Sequence, residues 1–260
     1  EEQVNETFAK IAEKFDHLDL LVNNVGGLGG RQRVSEMETG FMRKVMALNF
    51  DSLFFNTRAA LPLLKKGTNP SIINFSTIAV TNGGGIGASI YAASKGAVQS
   101  YSRALAKDLA EFGIRVNMVS PGTIDTPFHA ATDRKLVESW KDSILMKRLG
   151  EPREVADVIE FLASDKASFL TGEVIQINGG QMMGVEASFE KGAVGEAHRH
   201  PHEQVSYILS GSFQYEVEGK TYTLHKGDSY YVAPNELHGA TALEDAVILD
   251  IFTPQREDFL

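Results

Sequence analysis

A chain of 260 residues with 43% apolar residues has room for one large domain or two small ones. Its net charge of -9 and pI near 5.3 leave no basic stripe for phosphates, so small molecules are the expected partners, with no nucleic acid and no membrane. Cysteine is absent, which excludes disulfides and thiolate metal sites and suits a cytoplasmic location; nothing in the sequence resembles a signal peptide or an apolar run of about 18 residues, so no membrane span is expected.

Glu2 to Phe15 places Val4, Phe8, Ile11, Ala12 and Phe15 at helical spacing, and a strand from Leu18 to Asn23 follows a short turn. Gln32 to Leu64 reads as a long helical region, with Met37, Phe41, Val45, Leu48 and Phe55 on one side and Pro62 near its end. Gly26 to Gly30 and Gly83 to Gly87 are Gly-rich, but each follows a strand as a loop, and a lone glycine cluster is a weak sign of phosphate binding. The strand Ser71 to Phe75 ends in the hydroxyls of Ser76 and Thr77. Tyr91-Ala92-Ala93-Ser94-Lys95 then opens an amphipathic run reaching about Gly113, and Ile114 to Val119 is a second strand, closed by Pro121-Gly122. Strand, helix and strand make a βαβ unit. On that helix Tyr91 and Lys95 lie one turn apart on one face, where an ammonium favours the phenolate. The pair can then exchange a proton at neutral pH, which a bare tyrosine titrating near ~10 cannot do.

With Asn23-Asn24-Val25-Gly26, Met46-Ala47-Leu48-Asn49-Phe50, Ser76-Thr77, Tyr91 to Lys95 and Pro121-Gly122 in order, residues 1–180 resemble the short-chain dehydrogenase/reductase family. The resemblance implies an α/β domain with a partial doubly wound, Rossmann-type parallel sheet, and NAD or NADP as cofactor. It assigns Tyr91 as general acid, Lys95 as the group that lowers its pKa and holds the nicotinamide ribose, and Asn49 as the relay to Lys95. Thr77 ranks first and Ser76 second for the catalytic hydroxyl, since Thr carries the same donor and acceptor. Asn24, Val25 and Gly26 match the wall near the adenosine, with Val25 where the family has alanine, and Pro121, Gly122, Ile124 and Thr126 match the segment at the nicotinamide. Residues 130–147 would form a lid lined by Trp140 and Met146, Glu151-Pro152 would start a helix, and Val174 to Gly180 would be the last strand. The family's Gly-rich first turn is not found; about 60 residues of the usual fold are expected to be missing, with the residue that selects NADH or NADPH among them. A chain that starts at Glu1 is accordingly expected to be a fragment.

After Gly180 the pattern changes to short alternating strands, Val205 to Leu209, Ser212 to Val217, Lys220 to Leu224 and Ala246 to Phe252, with turns at Ser210-Gly211, Glu218-Gly219 and Lys226-Gly227. This all-β grammar does not belong to a parallel α/β sheet, so residues 181–260 are expected to form a second domain. Five of the seven histidines, His198, His200, His202, His225 and His238, fall there. Side chains alternate along a strand, so residues 198, 200 and 204 can point inward, and a distant strand can bring His238 to the same point. Imidazoles with one oxygen ligand suit a divalent first-row metal with open positions.

His198-Arg199-His200-Pro201-His202-Glu203-Gln204 and the stretch from Gly227-Asp228 to His238 resemble the two cupin motifs of a small metal-holding β-barrel. The resemblance implies His198, His200, Gln204 and His238 as ligands of a metal of the Zn, Ni, Fe or Mn class. Gln204 stands where cupins usually carry glutamate, and a neutral amide leaves the metal a stronger Lewis acid. With the tail from Leu249 to Leu260, the segment resembles the KdgF-type cupins, which linearise unsaturated uronates from pectin and alginate breakdown. That implies Asp250 as acid/base, Phe252 as an apolar wall and Arg256 as the clamp on the sugar carboxylate, against a surface ion pair of Arg256 with Glu257 or Asp258. The cupin is expected to be short at its front, by a strand or two before Val185 to Phe189.

Together the resemblances imply a bifunctional uronate-catabolic protein, expected to be a homo-oligomer. Metal-dependent conversion of a 4,5-unsaturated uronate to an open-chain 4-deoxy-5-keto uronate would precede NAD(P)H-dependent reduction of a carbonyl. The alternatives are an active cupin on a reductase scaffold and a non-catalytic sugar-binding cupin.

Overall fold

The computed structural model describes residues 1–129, 132, 134–181 and 184–253. It divides into two compact units, Glu1–Val137 with Leu149–Asn178, and Gly179–Leu260 with Glu138–Arg148. The segment Glu138–Arg148 groups with the second unit because Met146 N–H donates to Gly179 O (3.2 Å) and Leu145 lies against Gly180. Among the described residues no helix is long and apolar enough to cross a membrane.

The first unit is built on four parallel strands in the order β1 (Leu20–Asn23), β2 (Ser71–Phe75), β3 (Arg115–Pro121) and β4 (Val174–Ile177). Residues of β2 and β3 are buried almost without interruption, as in a sheet covered on both faces. Alternation along the strands divides them between two cores. Ile72 and Val116 pack with Ala60, Leu64, Leu105 and Leu109, whereas Ile73 and Val119 pack with Val155 and Leu162. The helices along this part of the chain are α1 (Glu2–Ala12), α2 (Thr39–Met46), α3 (Ser52–Leu64), α4 (Ala79–Asn82), α5 (Ser89–Leu109), α6 (Arg134–Ser139) and α7 (Pro152–Ala163), of which α3, α5 and α7 supply these core residues. A single 3-10 turn, Ala110–Phe112, follows α5, and Gly113 ends it at φ +67° in the left-handed region that favours glycine. Pro152 opens α7 beside a capping box, in which the Glu154 carboxylate accepts the Glu151 N–H at 2.8 Å.

The helical region expected from Gln32 starts only at Thr39, because residues 32–38 carry loop and turn conformations. It also widens into a π turn over Ala47–Asp51. There the Asn49 side-chain amide donates to Val45 O (2.9 Å), the carbonyl that the Asn49 backbone N–H would take in a regular helix.

The second unit holds two antiparallel four-stranded sheets. One has the order β10 (Ser229–Val232), β7 (Glu203–Ser210), β12 (Ala246–Thr253), β5 (Gly184–Phe189); the other β6 (Val194–His198), β11 (His238–Ala242), β8 (Ser212–Val217), β9 (Lys220–His225). Ile208, Val232 and Ile248 of the first sheet meet Phe213, Tyr215, Val217 and Leu224 of the second in one core. On β7, Gln204, Ser206 and Ile208 are buried while Glu203, Val205 and Tyr207 are exposed. Both turn residues of the β8–β9 hairpin, Glu218 and Gly219, have positive φ (45° and 75°), as a two-residue primed turn requires. The α/β plus all-β division expected from the sequence is thus the observed one.

Arg115 joins β3 to α7. Its Nη1 donates to Leu162 O (2.8 Å), one of the carbonyls that the end of α7 leaves without a helical donor, and to Ala167 O (3.1 Å) in the 3-10 turn that follows. The guanidinium also suits the negative end of the helix dipole. Arg115→Met keeps most of the stem and removes these donors, so urea denaturation should show a loss of about 2–3 kcal/mol, with faster amide exchange in the last turn of α7. A loss below about 0.5 kcal/mol, within the range of a neutral surface change, would contradict this role.

Candidate functional site

Two clusters stand out, one in each unit. In the first unit, the carboxyl ends of β1, β2 and β3 and the amino-terminal half of α5 converge, the place where open parallel sheets bind ligands. Tyr91 and Lys95 lie a turn apart on the buried face of α5, at 8% and 3% exposure. The Thr77 hydroxyl lies near enough to the Tyr91 phenol to pull its pKa down. Ser76 instead accepts from Gln99 Nε2 (2.8 Å), two turns along α5. The structure therefore sets the two hydroxyls apart, Thr77 on the tyrosine and Ser76 in a packing contact.

Lys95 Nζ donates to Phe75 O (2.7 Å), the last carbonyl of β2. Burial pulls its pKa down to about 8. The same burial pushes Tyr91 up, against the smaller downward pull of the Thr77 hydroxyl. This corrects the sequence expectation that Lys95 lowers the tyrosine: burial outweighs the other influences, so the phenol keeps its proton at neutral pH. Asn49 clamps the loop after β1, its Oδ1 accepting from Gly27 N–H and its Nδ2 donating to Gly27 O, both at 2.9 Å. A Cβ on Gly26 would stand 2.6 Å from Asn49 Oδ1 and 3.0 Å from Lys95 Nζ, so glycine lets the chain pass over both groups.

Asn24, Val25 and Gly26 are exposed at the end of β1. Pro121 accepts from Ile78 N–H (3.2 Å), Gly122 N–H donates to Ile177 O (2.9 Å), and Ile124 pairs with Gly150. Thr126 turns its hydroxyl back toward Ile124 O. The two Gly-rich loops are tied together, Gln32 N–H donating to Gly87 O and Arg31 Nη1 to Ile86 O, each at 3.1 Å. A polar set of Tyr91, Thr77 and Lys95 beside an uncrowded Gly26 fits the nicotinamide and ribose end of a dinucleotide. Phe128, which sequence reasoning did not single out, sets its half-exposed ring 6.1 Å from that of Tyr91. Its position two residues after Thr126 was the available signal.

In the second unit, strand register assembles the cluster. His238 on β11 pairs with His198 on β6, Gln204 on β7 with Phe252 on β12, and Ser206 with Asp250 on the same two strands. His200 follows β6 and is buried. One ligand atom from each of His198, His200 and His238 lies within 4.8 Å of the others. Each imidazole points Nδ1 at a backbone carbonyl: His198 at Glu196 O (2.8 Å), His200 at His202 O (3.1 Å) and His238 at Glu236 O (2.9 Å). A carbonyl only accepts, so each Nδ1 carries a proton, and Nε2 is the ring atom that would face a metal.

Gln204 Oε1 meets two of those nitrogens, at 2.9 Å from His200 Nε2 and 3.1 Å from His238 Nε2. Its Nε2 donates to Ser206 Oγ (3.0 Å) and to the Tyr215 hydroxyl (3.2 Å). Ring nitrogens and an amide oxygen converging at such distances suit the donor set of a cation site, and carbonyl-held imidazoles are its usual supporting arrangement. The chemistry of the residues present therefore fits a divalent metal at His198, His200, Gln204 and His238. Ser206 donates to Asp250 Oδ1 at 2.6 Å, which ties this carboxylate to the same cluster. Phe252 is buried, its ring edge-on to His200 with centroids 5.6 Å apart. Arg256 lies outside the described residues. Ser206 and Tyr215 escaped the sequence reading, although a buried serine two residues from Gln204 on an alternating strand was a legible sign.

Residues 1–182 match the family model described as enoyl-(acyl carrier protein) reductase, and residues 185–252 the model described as cupin domain. The 3-oxoacyl-[acyl-carrier-protein] reductase FabG of Thermotoga maritima is 39% identical over 179 residues, 69% of this chain and 72% of that protein. Among solved structures, an NADH-dependent reductase A1-R' responsible for alginate metabolism is 35% identical, with a TM-score of 0.62 over 68% of this chain and 70% of its own. A short-chain glucose/ribitol dehydrogenase from Brucella melitensis is 37% identical, with a TM-score of 0.66 over 70% and 72%. With its tyrosine, lysine and asparagine gathered at the strand ends and such relatives across its first two thirds, the chain belongs to the short-chain dehydrogenase/reductase family, with a cupin domain following.

Proposed function

We propose that the cupin unit opens 4,5-unsaturated uronates with a bound divalent metal, and that the dehydrogenase unit reduces a carbonyl with NADH or NADPH. One observation carries the first part: the ligand-directed amide of Gln204 and the carboxylate of Asp250 share the Ser206 hydroxyl, so a Lewis-acid site and a proton carrier sit side by side. The alginate metabolism that a solved relative of the first unit serves supports a uronate as substrate.

His198, His200, Gln204 and His238 would hold the metal, which when bound polarises a substrate oxygen. Ring opening is an isomerisation. The C1 hydroxyl gives up its proton, the bond from C1 to the ring oxygen breaks, and C1 becomes an aldehyde; C4 gains a proton as C5 becomes a ketone. Asp250, held by Ser206, moves that proton from oxygen to carbon. Phe252 keeps the wall beside His200 apolar and limits water there. Arg256 is proposed to grip the substrate carboxylate.

For the reduction, a bound nicotinamide would supply the hydride to the carbonyl carbon. Tyr91 gives its proton to the carbonyl oxygen, and a phenol kept protonated by burial is ready for that direction. Thr77 holds the same oxygen, and Lys95 reaches the ribose from beneath Gly26.

Two outcomes follow. In a purified unsaturated monouronate, the ultraviolet absorbance of the conjugated double bond should fall on addition of the metal-loaded protein, with no nicotinamide present. His238→Ala should lose metal and turnover together, while Asp250→Asn should keep the metal and lose at least about 100-fold in rate. Equal rates for wild type and Asp250→Asn, or full activity after exhaustive chelation, would leave a sugar-binding cupin as the better reading.

The second concerns Lys95, whose charge the reduction needs. Its folded pKa near 8 lies below its usual 10.5, so between these values the unfolded chain binds more protons and stability rises with pH. From pH 8 toward 10, the urea midpoint of the wild type should gain on that of Lys95→Met. A difference that stays flat across this window would show that Lys95 is not depressed.

A further inference from the structure

We propose that Ser206 and Tyr215 are positioning residues that hold the Gln204 amide with its oxygen toward the three imidazoles, and that Asp250 fixes the direction of the chain they form. The inference rests on the metal reading of this site. A glutamine side chain has two faces, and each suits a different state here. With nitrogen toward the rings, its N–H groups would donate to His200 and His238 and close the site as a metal-free hydrogen-bonded cluster. With oxygen toward them, it becomes a ligand.

What lies behind the amide decides between these. Ser206 Oγ and the Tyr215 hydroxyl stand 3.0 and 3.2 Å from Gln204 Nε2, and a hydroxyl can donate or accept. Asp250 breaks the tie. A carboxylate only accepts, and at 2.6 Å it takes the single Ser206 proton. Ser206 Oγ then has lone pairs alone to offer, one to the Tyr215 O–H at 3.0 Å and one to Gln204. With its own proton used on Ser206, Tyr215 also turns a lone pair to Gln204. Two acceptors behind the side chain require two donors, and the amide nitrogen has two.

Gln204, Ser206 and Tyr215 are all at least 95% buried, so water does not stand in for a missing partner, and the reversed amide would set its oxygen against two lone pairs. A carboxylate at position 204 would meet the same two lone pairs. The chain thus accounts for an amide where the cupin motif usually carries glutamate. It also makes one serine oxygen responsible for aiming both the ligand and the proton carrier.

The test uses the full chain with cobalt(II) as the sole probe, its affinity read by competition with a chromophoric chelator and its ligand field by the visible d–d band. Tyr215→Phe and Ser206→Ala, which change no ligand atom, should each weaken cobalt binding about 10-fold or more and shift the band. In a Gln204→Ala background, Tyr215→Phe should add less than about 2-fold, because its effect runs through the amide. Thermal unfolding of each apo variant separates this from a loss of folding, and Ser206→Thr, which keeps the hydroxyl, should restore affinity where Ser206→Ala loses it. An unchanged affinity and band in Tyr215→Phe, or an equal loss in both backgrounds, would overturn the inference. A wild type that binds no cobalt would overturn it together with the metal reading. The predicted variant pattern in a protein that opens no uronate would remove the substrate and leave this inference standing.

Discussion

A ring nitrogen from each of three imidazoles and an amide oxygen meet at one end of the second unit, and when those nitrogens present lone pairs such acceptors repel one another unless a cation stands among them. The fold holds them there by backbone means. Register pairs His238 with His198, and three carbonyls hold the Nδ1 protons so that the rings cannot turn their lone pairs away. Phe252 and the hydrophobic core of the barrel complete the surroundings. Asp250 then acquires its meaning from its neighbour: a carboxylate alone on a strand is unremarkable chemistry, but one joined through a serine to a metal-directed amide is a candidate proton carrier.

The first unit rests on a different balance, the burial of two ionisable side chains on one helix. Desolvation moves them in opposite senses, Tyr91 up and Lys95 down, so at neutral pH a protonated phenol lies one turn from a weakened ammonium. The π turn at Asn49 and the missing side chain of Gly26 bring the polar groups together without filling the space above them. This arrangement suits the proton donation that the proposed carbonyl reduction requires.

Much of this was legible in the sequence because the periods of helix and strand are simple. The Tyr91 to Lys95 helix, the buried β2 and β3, and the β8–β9 hairpin follow from spacing, apolar runs and a Glu-Gly turn. Strand β10 and the bounds of β6 and β11 escaped because these strands are short and their faces mix glycine, serine, histidine and tyrosine, which blurs the alternation. The direction of the Tyr91 shift was misread because sequence spacing shows a neighbouring charge but not the depth of burial that outweighs it. The roles of Ser206 and Tyr215 were hidden for a related reason, although the inward face of Ser206 was legible: they depend on a cross-strand pair with Asp250 and on a contact between the two sheets. Ser76 and Thr77 show the limit most plainly, since adjacent hydroxyls in a sequence take opposite directions in space.

The central claim is that the four converging groups are a metal site built around an amide ligand. Anomalous diffraction from crystals of the metal-loaded protein, with data above and below the absorption edge of the metal, tests it most directly. The account predicts one anomalous peak within bonding distance of His198, His200 and His238 Nε2 and of Gln204 Oε1, with the amide nitrogen on Ser206 and Tyr215. A peak elsewhere, or a Gln204 that turns its nitrogen to the rings beside a fully occupied metal, would contradict it.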